Sequence, residues 1–168
     1  MMKVIRWLFI AVGIALAFIA FGWVYTTVQL RVASSKGVYA TPEQGMLANA
    51  EKHYSADRNV KFLYAGTNSF DGSAPYVWYV IAEVRASSRA DGSELGYKGC
   101  DAPGSFYLQT KEGWVHVPEG AFPGFMGFWM KVFDLAGPGQ STPSTNWAPD
   151  QPSRFCNRPD YKSLLENR

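Results

Sequence analysis

An α+β domain behind one membrane-spanning helix is the fold class this sequence predicts, and three observations predict it. Residues 7–30, WLFIAVGIALAFIAFGWVYTTVQL, contain no charged side chain; at about 1.5 Å per helical residue they reach past the ~30 Å hydrocarbon core of a bilayer. Residues 75–86, PYVWYVIAEVRA, alternate as a strand whose first half is apolar on both faces, the pattern of a central strand covered on both sides. Residues 41–54 and 121–135 place apolar side chains at helical spacing on either side of the strand-rich region.

The order helix, strands, hairpin, helix gives a single domain with an antiparallel, twisted sheet and packed helices. A helix cradled by a curved sheet, as in cystatin-like or NTF2-like architecture, is compatible with that order; the likeness is one of architecture, not of family. With the first 30 residues set aside, about 138 remain, enough for one ordinary core. Two of the 16 basic residues, Lys3 and Arg6, precede the uncharged run, so 14 basic side chains face 14 acidic ones in the rest of the chain. A neutral domain with interspersed signs lacks the electrostatic footprint of a nucleic-acid binder. Aromatic residues make up 15% of the chain, which suits a β-rich core, a membrane-interface surface, or both.

Residues 1–6 read as a short cytoplasmic stub and 7–30 as a single-pass transmembrane helix in contact with the lipid bilayer. A cleaved signal peptide has an apolar region of about 7–15 residues; the stretch from Trp7 to Tyr25 is longer, and Val32-Ala33-Ser34 is only a weak small-residue site. An uncleaved anchor is therefore expected. Trp7 at one end and Trp23 with Tyr25 at the other match the interfacial aromatic belts. Ala11/Ala15 and Gly13/Ala17 are small-residue pairs at the spacing that lets a second helix approach, although such pairs are common in Ala-rich spans facing lipid. Lys3, Arg6 and the amino terminus outweigh Arg31 and Lys36, favouring a cytoplasmic N-terminus and an extracytoplasmic C-terminal domain at the cell membrane.

Residues 31–40 read as a stalk and 41–136 as the α+β domain. Thr41-Pro42-Glu43-Gln44 is a helix start, with Thr41 as cap, Pro42 in the first turn and Gln44 completing a capping box. Val60–Ala65 is a strand, and the loop 66–74 carries an Asp71-Gly72 turn signal. In the strand at 75–86, Trp78, Val80, Ala82 and Val84 share one face; Glu83 and Arg85, on the other face near its end, are expected to reach solvent. Leu95–Cys100 suits a short strand. Ser105–Thr110 and Trp114–Val117 form a hairpin around Lys111-Glu112-Gly113. In the helix at 121–135, Gly124 and Gly127 each cost about 1 kcal/mol relative to Ala, so burial rather than propensity has to hold it. Residues 137–168 form a Pro- and Gly-rich tail with a short terminal helix beginning at Asp160.

Cys100 and Cys156 are the only cysteines. In an exported domain two cysteines most economically form one disulfide. There is no CxxC or CxxCH motif. A zinc site assembled with His53 and His116 would lack the local ligand spacing such sites show, so no metal and no cofactor is expected.

No nucleophile elbow, phosphate-binding loop, dinucleotide fingerprint or calcium loop is present, and no catalytic residue is assigned. The candidate binding surface is the aromatic stripe Phe122, Phe125, Met126, Trp129 and Phe133, whose few charges suit burial against a membrane-protein partner. The expected function is that of a non-catalytic binding domain, an accessory or scaffolding subunit of a membrane or envelope complex. The alternative is a small-ligand-binding protein or hydrolase-like enzyme with a pocket near His116, with Asp101 or Glu119 as partner carboxylates. His53, at a helix C-terminus, suits the helix dipole, and Asp71, Asp101 and Glu119 each suit a turn.

Overall fold

Helix α1 (Met2–Lys36) carries the uncharged run and continues two turns beyond it. In this computed structural model, residues 2–67, 76–96, 99–139 and 156 are described. The Asp71-Gly72 turn, nearly all of the C-terminal tail and the terminal helix lie outside them. From Ile5 to Phe21 the side chains of α1 are exposed all round, and the helix is long and apolar enough to cross a membrane. The segment read as a stalk is helical as far as Lys36. Its Ala33 is fully buried and joins Val77, Leu108, Val115, Met126 and Met130 in one core cluster. A helix that packs on a domain has no need to end at the membrane surface, and burial of Ala33 keeps this one going.

After α1 the chain forms α2 (Pro42–His53), β1 (Asn59–Thr67), β2 (Val77–Arg85), β3 (Cys100–Asp101), β4 (Gly104–Thr110), β5 (Gly113–His116) and α3 (Pro123–Val132). The sheet is antiparallel, in the order β1-β2-β4-β5, with β3 paired to the end of β2. This is the expected α+β class. The short strand is confined to Cys100–Asp101, and Leu95 and Gly96 lie outside it.

Helix α2 starts as its sequence dictates. The Thr41 hydroxyl accepts from the Gln44 N–H at 3.3 Å, and the Gln44 side chain reaches back to the Ala40 N–H at 3.3 Å. That is one residue earlier than a standard capping box. Met46 and Ala50 turn inward, and Met46 packs in a cluster with Ala65, Trp78, Val80, Ala82, Tyr107 and Trp114. Alternation on β2 therefore separates the two sides of the sheet. Trp78 and Val80 face α2, whereas Val77 faces α1 and α3.

Glu83 departs from expectation. Arg85 is exposed, but Glu83 is only 1% exposed, and neither of its carboxylate oxygens has a hydrogen-bond partner among the described residues. At this point β2 is flanked on one side by β1, with Lys61 opposite Glu83, and on the other by β3, paired at Val84 and Arg85. Strand neighbours alone do not decide this, because Arg85 is paired with Asn59 on one flank and Cys100 on the other and is still exposed; Glu83 lies two residues further into the sheet.

Cys100 and Cys156 form the expected disulfide, with Cα atoms 5.5 Å apart. It holds Cys156 against the β3 end of the sheet, where its Sγ lies 3.5 Å from the Asp101 carbonyl oxygen.

Candidate functional site

Two surfaces compete for a functional role: the seam between α1 and α3, and a groove beside His116.

The seam is built from aromatic rings. Phe125 meets Phe18, Phe21 and Tyr25 at centroid distances of 6.5, 6.2 and 5.4 Å. Trp129 lies 5.4 Å from Phe18 and stacks on Phe133 at 5.2 Å. Pairs with such separations and tilts contribute beyond simple area burial. The Trp129 indole covers Gly22 so closely that a Cβ there would overlap the ring. The small residues Ala11, Gly13, Ala15 and Ala17 stay exposed, so close helix approach occurs one to two turns further along α1 than their spacing suggested. The first turn of α3 lacks a side-chain cap, but the Phe122 N–H donates to the Tyr25 hydroxyl at 3.3 Å. A residue of the apolar run thus satisfies a backbone donor at the start of α3.

The five residues of the aromatic stripe divide among four environments. Met126 is fully buried in the domain core, Phe125 and Trp129 face α1, and Phe133 is half-buried over Trp129. Only Phe122 stands free, at 69% exposure. The remaining exposed apolar residues of α3 are Phe128 and Val132, at 56% and 52%. Sequence periodicity identified one apolar face; α3 in fact has a core-facing arc, an α1-facing arc and an outward arc.

The groove has a volume of about 650 Å3 and opens between the C-terminal half of α2, the end of α1 and the segment after β5. Lys36, Lys52, His53, His116 and Glu119 supply its ionisable rim, with Tyr39, Asn49 and Ser105 among its other walls. His116 sits on the α2 side of the sheet, opposite Tyr107, whose ring lies 5.3 Å away. Burial, aided by Lys36, pushes the His116 imidazole below its ordinary pKa, against an opposing pull from Glu119. The imidazole is therefore neutral at neutral pH. It has no hydrogen bond to a carboxylate among the described residues. The neighbouring Tyr107 hydroxyl is buried without a hydrogen-bond partner among the described residues, and burial raises its pKa strongly.

Asp101 and Glu119 part company. Glu119 lines the groove with His116. Asp101 is held by Arg89, whose Nη2 and Nε donate to it at 2.8 and 3.0 Å, and it accepts the Gly96 N–H at 2.9 Å. Nearby, the Tyr54 hydroxyl is pushed up to about 12, first by burial and then by the Asp101 charge. Asp101 has a structural task, fastening the 89–101 loop. Among the described residues no group of three or more His, Cys, Asp or Glu is arranged to hold a metal. No protein-family model, curated protein or solved structure matches this chain.

The groove residues Lys36, Tyr39, Asn49 and Lys52 escaped sequence reading because they come from three separate segments. Lys52 and Asn49 sit one helical turn apart, on the polar side of α2, which is the one available signal.

Proposed function

We propose that this protein is a membrane-anchored, extracytoplasmic, non-catalytic binding domain, an accessory subunit that presents the His116 groove to a partner in the same membrane. The observation that carries this reading is the rigid join between anchor and domain. Ala33 of α1 is a core residue, and Tyr25 and Leu30 pack against the same cluster. The link after α1 is bonded as well: Tyr39 and Trp114 exchange backbone hydrogen bonds of 2.8 and 2.7 Å along β5. Gly113 permits this approach, with φ of +143° and no room for a Cβ beside the Tyr39 carbonyl. A flexible tether suits an enzyme that samples diffusing substrate. A rigid one holds a surface at a set height and orientation above the bilayer, as docking to a neighbouring membrane protein requires.

The same join supports retention of the anchor. Cleavage at Val32-Ala33-Ser34 would remove a core residue and strip the cover from Val77 and Met126. The disulfide supports an oxidising compartment, and the Lys3/Arg6 side of α1 supports a cytoplasmic N-terminus. The two lysines of the groove's rim against one glutamate favour a partner segment with acidic or acceptor groups.

A photocrosslinking amino acid in place of Lys52 tests this in intact membranes. We expect one discrete adduct with a membrane protein from Lys52 and none from the exposed turn residue Asp91; equal or absent adducts at both positions would overturn the reading. The alternative, a hydrolase or small-ligand pocket, rests on the neutral His116 beside Glu119. It requires a purified-protein activity or ligand affinity that disappears in His116→Ala.

A further inference from the structure

We infer that α3 is a second membrane element, immersed in the outer leaflet beside α1 with Phe128 and Val132 against acyl chains. This rests on the reading of residues 7–30 as a transmembrane anchor. Arg6 holds the near boundary of the hydrocarbon close to Trp7, and about 20 helical residues fill the ~30 Å core, so the far boundary falls near Thr26. Phe18 and Gly22 then lie about 12 and 6 Å inside that boundary at about 1.5 Å per residue. Phe125 touches Phe18, Phe21 and Tyr25, and Trp129 covers Gly22. Rings in contact share a depth. If Phe18 and Gly22 are in hydrocarbon, Phe125 and Trp129 are too, and so is the middle of α3.

The rest of α3 agrees with this placement. Two of the three exposed residues on its outward arc, Phe128 and Val132, are apolar and more than half exposed, and the Phe128 ring meets Trp129, which meets Phe18 of α1. Its one cation, the exposed Lys131, can extend an aliphatic stem to the headgroups. Just beyond α3, Lys111 and Asp134 form an exposed pair at 2.6 Å, which marks where the chain returns to water. Two glycines and a missing side-chain cap make α3 a poor helix in isolation. Lipid around the helix raises the cost of any open backbone hydrogen bond and so reinforces helicity. Interfacial helices that bind by charge are rich in Lys and Arg, whereas this one is held by its seam with α1. Its insertion should therefore be indifferent to lipid charge.

The test uses the full chain in phosphatidylcholine vesicles, with a nitroxide on one added cysteine at a time; Cys100 and Cys156 are bonded to each other and do not compete for label. Phe128→Cys, with Val132→Cys as a second site, reports α3. Ile14→Cys reports the span and Leu47→Cys, on exposed α2, reports water. The expected result is a ratio of oxygen to nickel-chelate accessibility at Phe128 several-fold above that at Leu47, close to that at Ile14, and unchanged when phosphatidylglycerol is added. A nickel-accessible label at Phe128, with Ile14 in lipid, overturns the inference while leaving the anchor intact. A label at Phe128 that is immobilised and shielded from both reagents also overturns it, by showing protein rather than lipid on that face. Nickel access at Ile14 as well would defeat the anchor reading itself.

Discussion

Helix α2 begins on a Thr41 side chain that accepts from its own first turn, ends with Lys52 and His53 where the dipole favours cations, and contributes Met46 and Ala50 to the core. Helix α3, across the sheet, begins at Phe122 with no side-chain cap, contains Gly124 and Gly127, and contributes Met126 and Met130. Both helices bury fully enclosed methionines against the same strands. One is also stabilised locally by its capping residues, whereas the other depends on contacts, with Tyr25 and the aromatic residues of α1 standing in for a cap. The two sides of the sheet thus meet different neighbours: a helix with an exposed polar face on one side, and on the other a helix that packs against the long apolar α1.

The largest loss is expected at the core. Met130→Ala, which empties a fully enclosed site, should cost about 2–5 kcal/mol, read as a lowered urea midpoint with an unchanged slope. Met46→Ala should cost a similar amount, and unequal losses would reveal which side of the sheet collapses more easily. Next in size is Gly22→Leu, which forces the Trp129 ring off α1. Overpacking of this kind costs about 1–3 kcal/mol, and it should loosen α3 while leaving hydrogen exchange in α2 unchanged. Thr41→Ala makes the reciprocal change, removing the α2 cap for about 1 kcal/mol and raising exchange in the first turn of α2 alone.

The smallest effect is one of pH. Folded His116 has a pKa below that of the unfolded chain. Between the two values the unfolded state binds more protons, so stability is full above the unfolded pKa and falls as pH drops from about 6.5. The charges facing it from α1, α2 and the segment after β5 are Lys36, Lys52, His53 and Glu119. His116→Gln should flatten the acid side of the stability curve. An unchanged slope would place the acid-sensitive proton elsewhere.

Local chemistry was the most legible part of this chain. The Thr41 cap, the alternation on β2, the hairpin around Lys111–Gly113 and the pairing of the two cysteines are all written in neighbouring residues or in simple counting. What was less legible involves distance. Periodicity marks the residues from Phe122 to Phe133 as apolar but cannot say that Met126 meets Val77 while Phe125 meets Tyr25. Alternation put Glu83 on the face of an exposed arginine, and nothing local to β2 distinguishes the enclosed position from the open one two residues on. The separation of Asp101 from His116 turns on Arg89, which sequence spacing alone does not connect to either.

The exchange of hydrogen bonds between Tyr39 and Trp114, two residues beyond the glycine that ends α1, leaves no swivel between rod and sheet. A bilayer that thins or thickens tips a long apolar helix to match. If α1 spans a bilayer as proposed, such a tilt would turn the sheet and its histidine-lined hollow through the same angle, so that local lipid composition would set the direction the hollow faces.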